Sequence, residues 1–287
     1  MMQRSVRNLA KAVFSQRVIG HLARQGRGGQ AQTLPRFTAP LNGADDTLGC
    51  CVAYTESGGF CVPLSSRHRP AARKILQGGV YEPETIAFLT ANCGAGDIVH
   101  AGSYFGDFLP ALSRACAPHA RVWAFEPNPE NFRCARVTCA INGLTNVHLM
   151  NNGLGRAAAR AALQVRDQSG RALGGSSQVV AAAGGLSGHL TTAVDLVALD
   201  DVMPPDRKVS VIQLDVEGFE QQALAGAAKT IARCLPILVL ETLPAQSWLA
   251  ESILSLGYRI DRKVHGNQVL QPPALADSAP GSGAAGA

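Results

Sequence analysis

Residues 97–108 read DIVHAGSYFGDF and residues 121–132 read RVWAFEPNPENF. In each, a short apolar run ends in a polar turn, and a helical pattern follows. Short apolar runs bounded by turn residues suit strands buried on both faces. The same rhythm continues outward. Strands are expected at 97–102, 121–127, 147–154, 209–217 and 237–242, with helices near 107–116, 129–141, 219–233 and 245–256 between or after them. Strand, helix, strand repeated four times implies an α/β fold with a mostly parallel sheet and helices on both faces. Upstream, CVAYTESGGFCVPL (51–64) predicts a hairpin turning at Ser57-Gly58-Gly59, and 70–77 and 83–92 predict two short helices. Downstream, YRIDRKVHGNQVLQ (258–271) predicts a closing hairpin that turns at His265-Gly266-Asn267. Residues 155–193 break the alternation, and one or two short strands with loops are expected there, LQVRD (163–167) among them. Long loops on such a scaffold are commonly functional lids.

Composition narrows the class of molecule. The chain has 287 residues, of which 46% are hydrophobic and 16% charged, enough for a sizeable core and too few charges for a disordered chain. No apolar run approaches the ~20 residues that span a bilayer. Net charge is +5, yet seven of the 26 basic residues and none of the 21 acidic ones lie within residues 1–44, so the remainder carries 19 against 21. That leaves no strong basic field for nucleic acid. Residues 1–44 form a basic arm, expected to be an amphipathic helix over roughly 4–23. Residues 272–287 are Pro, Gly, Ser or Ala at 14 of 16 positions and predict a disordered tail. The domain is therefore expected at 45–271. Eight cysteines form no CxxC pair or zinc-type cluster, which suits a reducing, cytoplasmic setting.

In an open parallel sheet, ligands bind beyond the carboxyl ends of the strands, so the residues that end each strand matter most. Three ends are polar. After the first strand, Gly102 and Gly106 permit a tight turn and close approach of a ligand to the backbone. After the second comes Glu126-Pro127-Asn128-Pro129, where a carboxylate can accept two hydrogen bonds from the vicinal hydroxyls of a ribose. Pro129 can open the next helix. After the fourth comes Asp215-Val216-Glu217-Gly218. Strand alternation would set Asp215 and Glu217 on one face, where they can orient hydroxyls or remove a proton. Glu220 is better explained as an acid at a helix start. Two carboxylates are compatible with Mg²⁺ but do not by themselves define a metal site, and none is assigned.

Together, GDIVHAGSYFGDF, VWAFEPNPENF, VIQLDVEGFE and a later VLE, in this order over roughly residues 79–245, resemble the FkbM family of S-adenosylmethionine-dependent methyltransferases. The resemblance implies the class I, Rossmann-like methyltransferase fold, a seven-stranded sheet whose last strand is antiparallel. It implies methyl transfer from S-adenosyl-L-methionine, usually to a hydroxyl of a sugar or natural product. It assigns Gly102, Ser103 and Gly106 to the loop beside the cofactor's methionine end. Glu126, with Pro127, takes the ribose hydroxyls, and Asn128 lies near the adenosine. Asp215 and Glu217 face the transferring methyl and the acceptor. Two positions depart from the pattern: His100 stands where an acid is usual, and Gln213 where Lys is frequent.

In-line methyl transfer gains much from positioning alone, and a base helps to remove the hydroxyl proton. Asp215 or Glu217 is the first choice for that base, and His100 the second. The expected partner is a small-molecule or glycan acceptor. Tyr81, Glu82 and His189 are candidates for its pocket, although surface or core roles are simpler for each. Two other readings use the same sheet. A catalytically silent nucleotide-binding relative would be consistent with His100. An NAD-dependent oxidoreductase is disfavoured by the absence of a third close glycine after the first strand.

Overall fold

The computed structural model describes residues 47–180 and 188–273. The expectations for the arm, and for the tail beyond residue 273, lie outside the described residues. The chain opens with a hairpin of β1 (Cys50–Thr55) and β2 (Gly58–Pro63), followed by α1 (Pro70–Leu76) and α2 (Pro83–Asn92). The alternating part runs β3 (Asp97–Ala101), α3 (Leu109–Ala115), β4 (Val122–Phe125), α4 (Pro129–Asn142) and β5 (Val147–Met150). It resumes with β10 (Val209–Leu214), α6 (Glu220–Ala225), α7 (Ala228–Cys234), β11 (Ile237–Leu240) and α8 (Gln246–Ser252), and closes on β12 (Arg259–Val264) and β13 (Asn267–Gln271).

These strands form one seven-stranded sheet in the order β12-β13-β11-β10-β3-β4-β5. Neighbours from β11 to β5 are parallel, and β13 is antiparallel to both β11 and β12. The last strand thus lies inside the sheet. Strand alternation divides the core in two. Val99 and Ala101 of β3 join Trp123, Phe125, Ile212, Leu214 and Leu240 on one face, while Ile98 joins Val122, Ala124, Val211 and Val239 on the other, beneath α2 and α3. The chain leaves β3 for β4 on one side and later enters β10 on the other. The reversal point therefore lies between the ends of β3 and β10, where a ligand crevice belongs.

Three expectations need correction. The run 147–154 is two strands, β5 and β6 (Gly153–Leu154), because Asn151 turns aside to donate to the main-chain oxygens of Glu126 (2.8 Å) and Pro127 (3.1 Å). The helix of 219–233 breaks at Gly226, where a Cβ would lie 1.9 Å from the Gly155 carbonyl. Asp200 then accepts from the amides of Lys229 and Thr230, both at 2.8 Å, and starts α7 afresh. Residues 155–193 hold more order than expected. β6, β7 (Ala159–Gln164), β8 (Gln178–Val180) and β9 (Thr191–Val197) form a separate four-stranded sheet, with α5 (Leu199–Val202) leading back to β10.

Candidate active site

Gly102 follows β3 at a φ of +84°, and a Cβ there would lie 1.8 Å from the carbonyl oxygen of Asp215. Only glycine lets the ends of β3 and β10 approach this closely. Ser103 is fully buried and turns back to donate to the His100 carbonyl (3.1 Å). Gly106 packs against Leu109 and Ala135. Both shape the loop from behind, and of the three only Gly102 lines the cavities described below.

Glu126 is buried at the end of β4. Its carboxyl accepts from the amides of Tyr104 (2.7 Å) and Asn128 (2.9 Å), and at 3.4 Å from the Asn131 side chain. Burial pushes this carboxyl up to about 8, and the two amide bonds pull the other way. Asn128 serves as the cap of α4, accepting from Glu130 N (3.0 Å) and donating to Ser177 (3.1 Å). Glu126 and Pro127 wall a cavity of about 30 Å³ with Gly102, Asn152, Gly175, Ser177 and Asp215. That is room for a water or two.

A wider cavity of about 150 Å³ lies on the other side of Gly102 and Asp215. Its wall holds His100, Gln213, Tyr81, Tyr104 and Arg69, and five acids: Glu82, Asp107, Asp215, Glu217 and Glu241. β10 ends at Leu214, so Asp215 and Glu217 converge through a left-handed turn at Glu217 (φ +53°) rather than by strand alternation. Asp215 is raised well above the ordinary carboxylate range by burial and by its hydrogen bond with Glu241. Glu217 is raised by burial and by the Glu241 charge. Burial lifts Asp107 to about 7. Glu220 is buried and accepts from Val216 N at 3.4 Å, holding the turn from beneath.

His100 is 2% exposed and stacks on Phe108, with ring centroids 5.3 Å apart. Its Nδ1 bonds Gln213 Oε1, its register partner on β10. Burial lowers the imidazole to about 4, so it is neutral near pH 7. Both departures from the family pattern therefore face each other as one neutral pair.

Residues 174–177 of the excursion cover both cavities, and Gly175 lines each. Ser176 bonds the Arg69 guanidinium, Ser177 bonds Asn128, and the Gly174 carbonyl accepts from Asn131 (3.1 Å). Sequence reasoning expected a lid somewhere in 155–193 but singled out none of residues 174–177, nor Arg69, Asp107 and Glu241. Of these, Glu241 carried a signal, as the acid ending a parallel strand. Tyr81 and Glu82 do line the wider cavity, whereas His189 is exposed and lines neither.

The strand order, the single antiparallel strand and the crevice at the β3–β10 reversal define a class I methyltransferase fold. The family model described as the methyltransferase FkbM domain matches residues 92–260. The chain belongs to the FkbM methyltransferase family, which sets aside the oxidoreductase reading. Among solved structures, methyltransferase FkbM from Methylobacillus flagellatus KT is similar at 20% identity and a TM-score of 0.40, over 61% of this chain and 43% of that protein. This chain thus spans less than half of that relative's length. A SAM-dependent methyltransferase from Aquifex aeolicus (13% identity, TM-score 0.37) is matched over 70% of this chain and 91% of that one. The Pyrococcus abyssi tRNA (uracil-54, C5)-methyltransferase, solved with S-adenosyl-L-homocysteine (12%, 0.39), is matched over 77% and 43%. No curated protein matches this sequence. Among the described residues, no helix is long and apolar enough to cross a membrane.

Proposed function

We propose that this chain transfers the methyl group of S-adenosyl-L-methionine to a hydroxyl oxygen of a sugar, glycan or natural-product acceptor. The observation that carries this reading is the pair of adjoining cavities at the strand ends, one walled by the buried carboxyl of Glu126 and the other by acids, with Gly102 and Asp215 in both. The cofactor supplies an electrophilic methyl on a positively charged sulfur. Glu126 and Pro127 would hold its ribose, the loop of Gly102, Ser103 and Gly106 its methionine end, and the turn at Asn128 its adenosine side. A cavity of about 30 Å³ is far smaller than a nucleoside needs, so the cover at 174–177 must lift for the cofactor to enter.

Five acids against Arg69, even with Asp107 and Asp215 raised by burial, give the wall no positive field for a phosphate-rich acceptor, which supports a small molecule or glycan over nucleic acid. Asp215 and Glu217 can accept hydrogen bonds from acceptor hydroxyls, and either can take the proton released on attack. A carboxylate raised by burial is the stronger base when ionised. All eight cysteines are free thiols, in keeping with a reducing, cytoplasmic setting.

Incubation with methyl-labelled cofactor and an extract of the source cell is expected to label a hydroxyl-bearing small molecule or glycan. The Asp215→Asn variant should lose turnover by a larger factor than S-adenosylhomocysteine affinity. No label in any acceptor, with the homocysteine analogue still bound, would favour the silent relative for which the neutral His100–Gln213 pair speaks.

A further inference from the structure

Three of the five acids in the wider cavity come together. Asp215 and Glu217 follow β10 and Glu241 follows β11, and one oxygen from each lies within 4.8 Å of the other two. When all three are ionised, like charges so close in a partly buried site repel strongly. Among the described residues Arg69 is the one basic side chain in the wall, and it is bonded to Ser176. The spacing suits a different partner. Oxygens bound to one hard cation at about 2.1–2.4 Å stand roughly 3–4.8 Å apart, so the three side chains need little rearrangement to become ligands.

A second observation is independent of the acids. Gln213 Oε1 can only accept, which places the ring proton of His100 on Nδ1 and leaves Nε2 as a bare lone pair. That Nε2 is buried without a partner among the described residues, on a ring in the wall of the same cavity. A buried acceptor with no donor is rare, and it points to a ligand that brings one.

We propose that Asp215, Glu217 and Glu241 bind a hard divalent cation of the Mg²⁺ or Mn²⁺ class, with a water of its shell, or an acceptor hydroxyl, donating to His100 Nε2. The role for an acceptor hydroxyl rests on the methyltransferase reading above, whereas the cation site stands on the carboxylates and the imidazole alone. His100 is a positioning residue for that shell.

The test is electron paramagnetic resonance of Mn²⁺ titrated into the full chain without cofactor. One bound Mn²⁺ per chain is expected, displaced by Mg²⁺ but not by ammonium at equal ionic strength. Glu241 is exposed, so Glu241→Gln should fold and weaken binding at least ~10-fold. His100→Phe, which keeps the stack on Phe108, should weaken it about 10- to 100-fold. Glu251→Gln, an exposed acid elsewhere, should bind as the parent does. Absent Mn²⁺ binding, equal binding by Glu241→Gln, or displacement by ammonium would each overturn the site. Calorimetry with S-adenosylhomocysteine on the same samples separates the two readings. The analogue binding where Mn²⁺ does not removes the cation site alone, and the reverse removes the methyltransferase assignment alone.

Discussion

His100 and Gln213 sit opposite each other on β3 and β10, and each makes sense only with the other. A charged acid at position 100 beside Gln213 would be a buried carboxylate without a counter-ion, whereas the neutral imidazole needs only the amide oxygen. His100→Asp alone is therefore expected to destabilise the fold. Adding Gln213→Lys should recover stability, with a coupling on the order of 1–3 kcal/mol in a denaturant double-mutant cycle. The titration has a definite sign. With the imidazole lowered from 6.5 to about 4, the unfolded chain binds the proton first, so the stability this group contributes is fully present above 6.5 and is lost as pH falls toward 4. Ring-nitrogen NMR should show His100 uncharged throughout the neutral range. Glu126 makes the companion case. Glu126→Gln keeps an acceptor for one amide but sets an NH2 against the other, and calorimetry should find S-adenosylhomocysteine bound roughly 10- to 100-fold more weakly, the loss of one or two hydrogen bonds.

At the level of elements, Gly102 joins two strands that the chain reaches more than 100 residues apart. Gly102→Ala sets a methyl carbon against a main-chain oxygen, so either the end of β10 shifts or the left-handed turn opens. Loss of roughly 1–3 kcal/mol in denaturant unfolding is expected, together with loss of analogue binding. The buried parallel strands were legible because apolar runs ending in Gly102, Glu126 and Asp215 declare their length and direction at once. The cap at Asn128 and the opening of α4 at Pro129 were legible for the same local reason. The second sheet was not. Its strands carry ARAALQ and QVV, with little apolar alternation, and their pairing is set by contacts that sequence spacing does not reveal. Nor was the approach of Glu241 to Asp215, which depends on β10 and β11 being neighbours. The break at Gly226 was hidden for a similar reason, since the carbonyl that forbids a side chain there comes from Gly155.

For the whole molecule, the two ends of β3 divide the work. Asp97 opens the strand far from the cavities, and its carboxylate holds the Arg207 guanidinium, the Trp123 indole (2.8 Å) and the Arg121 amide (2.8 Å). Asp97→Ala removes this acceptor from all three, leaving Arg207 only the His119 carbonyl, and should cost about 3–5 kcal/mol of stability by denaturant titration. The surviving folded fraction should bind S-adenosylhomocysteine as the parent does, because Asp97 and the cavities lie at opposite ends of the parallel strands. The stretch 174–177 ties those cavities to the rest of the chain through Arg69, Asn128 and Asn131. Since Gly175 belongs to both hollows, admitting a guest to one disturbs the shape of the other. On the proposed methyltransferase reading, a segment that closes both hollows would tie the arrival and departure of one compound to those of the other.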